Sequence, residues 1–304
     1  MLILVTGGSG FIGSHVVDKL VDADHKVRVF DTRAPHRADV EFVEGNITEL
    51  DEVWAAVAGT DVVYHFAAAA NVDLVKAHPV ETVETNVMGT VNVLEAARAA
   101  GVGRVVFASS TYLFDEGGHL YSTTKLAGEL LCRDFATLYG LSYTNLRLGT
   151  AYGPRSREVD VISIFVRNAL EGRPLEVRGA GAQRRNFVYV EDLARGAVAA
   201  LSERARGNTY MLGGAVPITI RELAELVQEV AGTNVEIRVT AAAREDDYPG
   251  RSGDLTVTHA DLGWWPATSL RDGIAKYIEW RQMVGGAGAQ GRDAAAGGRG
   301  GPGR

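Results

Sequence analysis

Two groups of residues in this 304-residue chain have the types and spacing that imply chemistry. The first is built on glycine. Gly7, Gly10 and Gly13 in TGGSGFIGS follow the apolar run Leu2–Val5 and open an amphipathic stretch, with Phe11 and Ile12 inside the same turn. Positions without a side chain let the amides of a helix start reach a pyrophosphate, and the helix dipole favours negative charge there. Asp31 ends the next apolar run, at the distance of about 20 residues from which an acid accepts hydrogen bonds from an adenosine ribose. Together these residues predict a dinucleotide site. A carboxylate at that place repels a 2′-phosphate, so NAD is expected rather than NADP. Arg33, two residues on, is read as a solvated loop arginine.

The second group is Tyr121 and Lys125 in YSTTK, four residues apart and therefore on one face of a helix. A free tyrosine is a poor base at neutral pH, and bringing its pKa from about 10 to about 7 needs roughly 4 kcal/mol of phenolate stabilisation. An ammonium beside it and the positive charge of a nicotinamide are the means available. The pair follows the apolar run Arg104–Ala108, whose end carries Ser109, Ser110 and Thr111, hydroxyls placed to hydrogen-bond a substrate alcohol next to the tyrosine. Ligands bind outside the carboxyl ends of such strands.

These residues must be held by a regular frame. Short β-branched runs at Leu2–Val5, Val27–Phe30, Val40–Val43, Asp61–Phe66, Arg104–Ala108 and Tyr143–Leu148 alternate with helical patterns near Phe11–Asp22, Glu49–Val57, Pro79–Ala100 and Tyr121–Tyr139. This is the signature of βα units around one parallel sheet. The expected fold class is therefore α/β, a Rossmann-type doubly wound sheet, with a smaller mixed α/β lobe toward the carboxyl terminus. Residues 1–152 form the dinucleotide domain, with 186–203 returning to it, and 153–185 plus 204–284 form the substrate lobe. In that lobe helices are expected at Val161–Glu171, Glu191–Leu201 and Ile220–Ala231, the last opened by a Thr219/Glu222 capping box. A strand is expected at Phe187–Val190. Residues 285–304 hold nine of the chain's 36 glycines without periodicity, and no element is expected there.

Composition narrows the class of function. The chain is 46% hydrophobic and 23% charged, ordinary for a globular protein, and its net charge of −7 without a basic stripe argues against nucleic acid as partner. Cys132 is the single cysteine, so no disulfide framework or cysteine metal cluster is expected, and a reducing cytoplasm fits. No run approaches about 18 apolar residues and the start lacks a signal-peptide pattern, so no membrane partner is expected.

Over nearly the whole chain up to Arg281 the sequence resembles the extended short-chain dehydrogenase/reductase family, within it the NAD-dependent nucleotide-sugar epimerase/dehydratase group. The resemblance rests on TGGSGFIG, GNI at Gly45–Ile47, HFAA, NVMGTVNVLEAA from Asn86, FASS, YSTTK, LRLGTAYGPR from Leu146, GAGAQRRNFVYVEDLA from Gly179, RSGD at Arg251 and LGWWP at Leu262. It implies Tyr121 as base, with Lys125 and Ser110 as its partners. It places Asn46 and Ile47 beside the adenine, Phe66, Ala67 and Ala68 along the dinucleotide, and Asn86 where it orders the strand ends. Arg185 and Arg251 align with arginines that grip a substrate pyrophosphate, a task suited to bidentate guanidinium groups. A homodimer packed through Pro79–Ala100 and Tyr121–Tyr139 is implied as well.

Three departures bear on the reaction. Only ten residues separate Ser110 from Tyr121, Thr150 stands where epimerases commonly carry an asparagine against the nucleotide sugar, and Met211 replaces another asparagine. Thr111 and Tyr112 follow Ser110, where sugar dehydratases resemble one another in an Asp-Glu pair and decarboxylases in a glutamate. The reading is thus an NAD-dependent 4-epimerase of a UDP-hexose or UDP-hexuronate, passing through a transient 4-keto sugar, with Ser110, Thr111, Thr150, Arg185 and Arg251 on the substrate side. A nucleotide-4-ketosugar reductase and a non-catalytic dinucleotide sensor are the alternatives.

Overall fold

The computed structural model describes residues 1–114, 119–240 and 253–296. The amino-terminal half alternates β1 (Leu2–Thr6), α1 (Phe11–Asp22), β2 (Lys26–Asp31), β3 (Glu41–Glu44), α2 (Leu50–Val57), β4 (Val62–His65), α3 (Val72–Ala77), α4 (Pro79–Val83), α5 (Gly89–Ala99), β5 (Arg104–Ser110), α6 (Leu120–Tyr139) and β6 (Tyr143–Leu148). The chain continues through β7 (Thr150–Tyr152), α7 (Val161–Leu170), β8 (Leu175–Arg178), β9 (Arg184–Arg185), β10 (Phe187–Tyr189), α8 (Val190–Ala199), β11 (Asn208–Leu212), β12 (Ile218–Thr219), α9 (Ile220–Val230), β13 (Ile237–Thr240), α10 (Thr256–Leu262) and α11 (Leu270–Ala296).

Seven parallel strands make the main sheet, in the order β11-β6-β5-β4-β1-β2-β3. All residues of β4 and β5 are buried, as strands covered by helices on both faces require. Chain order runs outward in both directions from the β1–β4 neighbours, so the crevice of a doubly wound sheet lies at the carboxyl ends of these two strands. One face is filled by Val16, Val17 and Leu20 of α1 with Leu193, Ala194 and Ala197 of α8. Val53 and Val57 of α2 and Val93, Leu94 and Ala97 of α5 fill the other. A third cluster joins Phe165 and Val166 of α7, Leu223 and Val227 of α9, and Ile274, Tyr277 and Ile278 of α11. Small strand pairs flank it: β10 with β7, β12 with β9, and β13 with β8.

Most expected elements are present, including the Thr219/Glu222 capping box at the start of α9. Four differences stand out. The stretch Pro79–Ala100 is not one helix, because a π-helical turn, Glu84–Met88, separates α4 from α5; a single wide turn leaves no mark on a 3.6-residue pattern. β11, within the span assigned to the smaller lobe, is an edge strand of the main sheet, paired with β6 from Asn208↔Thr144 to Leu212↔Leu148. Leu255 and Trp264 of the same span pack into the cluster of the main sheet. Finally, α11 runs on to Ala296, inside the glycine-rich segment where no element is expected. Extending an existing helix needs no new nucleus, and alanines favour it.

Candidate active site

The turn after β1 is closed by Gly7 N–H on the carbonyl of Phe30 at 2.9 Å and Gly10 N–H on that of Gly7 at 3.0 Å. Gly7 has φ +71°, and a Cβ there would lie 2.5 Å from the backbone nitrogen of Ala67; on Gly13 it would lie 2.1 Å from the Gly7 oxygen. The β1 turn, the start of α1 and the segment after β4 thus approach as bare backbone. Asp31 is held at the lip of the turn: its carboxylate accepts from Ser9 N–H at 3.0 Å and from Arg33 N–H at 3.2 Å. The Arg33 side chain is exposed. Asn46 and Ile47 follow β3, where the Asn46 side chain accepts from Thr48 N–H at 3.2 Å and Asn92 donates to the Ile47 carbonyl at 3.0 Å. Phe66, Ala67 and Ala68 are half-buried at the end of β4. A bare-backbone cradle with a carboxylate at its lip fits a nicotinamide dinucleotide that lacks a 2′-phosphate.

β5 and α6 bring Ser110, Tyr121 and Lys125 together. Tyr121 is hydrogen-bonded to Ser110, whose Oγ also accepts from the Tyr112 N–H at 3.1 Å. Burial pushes the phenol up to about 12, opposed by the Ser110 hydrogen bond and by the Arg157 charge. Lys125 is buried; its Nζ donates to the Ala108 carbonyl at 2.8 Å and stands 5.9 Å from the Tyr121 ring centre. Burial lowers its pKa to about 8. The rings of Tyr112 and His119 meet Tyr121 edge-on, at 6.3 and 6.2 Å between centres. Asn86, in the π-helical turn, clamps the segment after β4: its Oδ1 accepts from Ala69 N–H at 2.7 Å and its Nδ2 donates to Thr124 Oγ1 at 3.1 Å.

On the side where substrate is expected, Thr111 opens a single 3-10 turn, Thr111–Phe114, directly after Ser110. Thr150 is half-buried in β7 opposite Phe187, and Arg185 is half-buried in β9 opposite Ile218. Arg251 lies outside the described residues. Two features are absent from the sequence reading. Ser109, expected with Ser110 and Thr111 to meet a substrate alcohol, instead turns from the site, because its Oγ donates to buried Glu129 at 2.5 Å, a carboxylate that Arg147 grips at 2.9 and 2.7 Å. Arg157 reaches across the mouth, its Nη1 donating to the Ala70 carbonyl at 3.2 Å. It follows the Gly153-Pro154 step in a segment tied to α1 by Arg155 on Asp18 at 2.6 Å, a contact across 137 residues that leaves no signal in the sequence.

The model of the NAD dependent epimerase/dehydratase family matches residues 3–213. The chain belongs to that family. The matched span ends one residue after β11, at the last strand of the main sheet. Among relatives of the family, UDP-glucuronic acid decarboxylase 1 of Arabidopsis thaliana is 33% identical over 91% of this chain and 68% of its own length. The UDP-glucose 4-epimerase of Thermotoga maritima, crystallised with UDP-glucose, has a TM-score of 0.88 at 29% identity, covering 93% of this chain and 99% of that one. The dTDP-glucose 4,6-dehydratase of Streptomyces venezuelae, crystallised with NAD, has a TM-score of 0.86 at 30% identity, covering 94% of this chain and 98% of that one.

Three reactions therefore occur on this one frame, and family membership brings NAD as cofactor without choosing among them. Among the described residues no helix is long and apolar enough to cross a membrane. No group of three or more His, Cys, Asp or Glu that could hold a metal ion occurs among them.

Proposed function

We propose that the protein is an NAD-dependent 4-epimerase of a UDP-linked sugar, with Tyr121 as the base. The observation that carries this reading is the surroundings of Tyr121: Ser110 on its hydroxyl, Lys125 beneath it, and the aromatic edges of Tyr112 and His119 on its flank. Removing water or carbon dioxide from a 4-keto sugar asks for a further acid or base near C5 or C6. The positions after Ser110 hold Thr111 and Tyr112 instead. NAD, when bound, supplies the hydride acceptor for C4 and returns that hydride.

The chain's own residues handle the proton. Tyr121, as phenolate, takes the proton of the sugar 4-hydroxyl while Ser110 hydrogen-bonds the same oxygen. Lys125 stabilises the phenolate by its charge, its position fixed through Ala108. The cradle of Gly7, Gly10, Phe11, Ile12 and Gly13, with Asp31, Asn46, Ile47, Phe66, Ala67, Ala68 and Asn86, holds the dinucleotide. Thr111, Thr150 and Arg185 face the nucleotide sugar, and the pyrophosphate is assigned to Arg185 and Arg251 on sequence grounds. After the 4-keto sugar turns over, C4 would be reduced on its opposite face while Tyr121 returns its proton to the 4-oxygen.

Arg157 favours a hexuronate within this class. It spans from the segment after β7 to the Ala70 carbonyl beyond the end of β4, which makes it the cation we assign to a carboxylate on C6 of the sugar. Exposed Val80 and Met88, with Leu126 and Leu130 one turn apart on α6, support a homodimer through these helices.

The test is incubation with UDP-glucuronate, UDP-glucose and UDP-N-acetylglucosamine in turn, followed by the anomeric proton signals in NMR. The expected result is a galacto-configured product in constant molar amount, fastest from UDP-glucuronate. Release of carbon dioxide, loss of water or stoichiometric consumption of reduced nicotinamide would each replace the epimerase reading.

A further inference from the structure

Between the turn that carries Gly7 and the helix that carries Tyr121 runs a buried chain of hydrogen bonds, of whose members only Asn86 has a place in the proposed function. Thr6 ends β1, His65 ends β4, Thr90 lies on α5 and Thr124 on α6; all four are buried, as is Asn86. Thr6 Oγ1 and His65 Nδ1 are 2.7 Å apart, and His65 Nε2 and Thr90 Oγ1 are 3.0 Å apart. Thr90 Oγ1 lies 2.6 Å from the Asn86 carbonyl.

Valence fixes the direction of every proton. A carbonyl only accepts, so the Thr90 hydroxyl donates to Asn86 and its oxygen accepts from His65 Nε2–H. His65 Nδ1 is then the bare nitrogen, and the Thr6 hydroxyl donates to it. The Thr6 oxygen in turn accepts from the Ala67 N–H at 3.3 Å, in the segment against which Gly7 packs. Burial pushes the pKa of His65 down to about 3, so the neutral ring that this pattern needs is the form present. Through the Asn86 side chain the chain continues to Thr124, whose hydroxyl donates to the Tyr121 carbonyl at 2.9 Å. It passes, at Asn86, through the π-helical turn Glu84–Met88, a feature that recurs at functional sites.

We infer that the Thr6–His65–Thr90–Asn86–Thr124 chain couples the dinucleotide turn to the catalytic helix, with His65 as a positioning residue within it. It rests on the reading that the Gly7 turn holds NAD and that Tyr121 is the base. A buried network satisfied in one direction only has one geometry, so fixing either end fixes the other.

Thr90 tests this because it lies on α5 and belongs neither to the turn nor to the catalytic trio. Thr90→Val is expected to raise the dissociation constant for NAD about fivefold, the size of one net buried hydrogen bond, and to lower kcat with KM for the nucleotide sugar unchanged. Thr90→Ser should restore both. Thr6→Val should match Thr90→Val, and the double variant should be no worse than either, since both break one link. A lowered melting temperature with NAD affinity unchanged, or additive losses in the double variant, would overturn the coupling. Should Thr90→Val fail to fold, Thr124→Val at the far end of the chain carries the same expectation for NAD affinity, and unchanged affinity there overturns it equally. NAD affinity is read by quenching of tryptophan fluorescence, independently of turnover, so failure of the epimerase reading and failure of the coupling register in different measurements.

Discussion

Lys125 donates to the main-chain carbonyl of Ala108 at 2.8 Å, not to the phenol of Tyr121 one helical turn before it. The lysine is thus a buried group under the site, 5.9 Å from the Tyr121 ring centre, and in the proposed reaction it would act on the phenolate through space. Its ammonium is the acid form, with a pKa lowered to about 8 by burial, so its help is present below that pH and is lost as pH rises through it. Lys125→Met is expected to keep the fold while lowering kcat on the order of a hundredfold or more and moving the acidic limb of the pH profile upward. Tyr121→Phe should abolish turnover with NAD affinity retained. A pH profile of kcat for wild type and both variants, with NAD titrations alongside, checks the pair; turnover surviving in Tyr121→Phe would remove Tyr121 as base.

Gly13 separates a local packing need from a general glycine effect. A Cβ there would sit 2.1 Å from the Gly7 oxygen, whereas at Gly59, with φ +73°, it would meet nothing within 4 Å. Gly13→Ala must push the β1 turn aside and is expected to lose NAD binding. Gly59→Ala should cost only about 1 kcal/mol of stability, from left-handed backbone strain, with NAD affinity intact. Thermal melts and fluorescence titration of the two variants distinguish these outcomes.

The contrast between these glycines also shows why part of the site is readable in sequence. Gly7, Gly10 and Gly13 sit at fixed offsets from a strand and a helix, and Tyr121 and Lys125 share one helical face, so spacing alone carries their geometry. His65 and Thr90 are different: 25 residues apart in sequence, they meet only because β4 and α5 are adjacent in the fold. Arg157 reaches Ala70 from 87 residues away for the same reason. β11 escaped because its five residues, NTYML, open on two polar ones and do not form the unbroken apolar run seen in β1. The break at Glu84–Met88 escaped because a π-helical turn keeps the composition of the helices on either side.

Two buried histidines make stability depend on pH. Burial pushes His65 down to about 3, and burial with the neighbouring Arg155 charge pushes His15 down to about 4, both from an ordinary value of 6.5. A folded-state pKa below the unfolded one favours the neutral form on folding, so this stabilisation is fully present above pH 6.5 and is lost as pH falls below it. While both rings stay neutral in the fold, each adds up to about 1.4 kcal/mol of loss per pH unit. Urea titrations between pH 7 and 5 should show stability falling with pH, and His15→Gln should flatten the slope. A slope unaltered in that variant would mean that His15 is protonated in the fold.

Arg157 gives the last test, of substrate charge. Its guanidinium is held by Asp160, through Nη2 at 2.9 Å, and by the Ala70 carbonyl at 3.2 Å, an anchorage that fixes its place at the mouth of the site. Its charge also lowers the Tyr121 pKa, against the effect of burial. Arg157→Gln therefore acts twice. It raises the pH at which Tyr121 works for every substrate, and it removes a charge-assisted hydrogen bond available only to a sugar that carries a carboxylate. The common effect cancels in a ratio, and the specific one does not. The ratio of kcat/KM for UDP-glucuronate over UDP-glucose should fall about tenfold or more, the size of one hydrogen bond to a charged group, with NAD affinity unchanged. Arg157→Lys should recover the pH profile more fully than the ratio, because an ammonium restores the charge without the planar fork that matches a carboxylate. Equal losses for both sugars in Arg157→Gln would assign Arg157 to the base alone and withdraw the preference for a hexuronate.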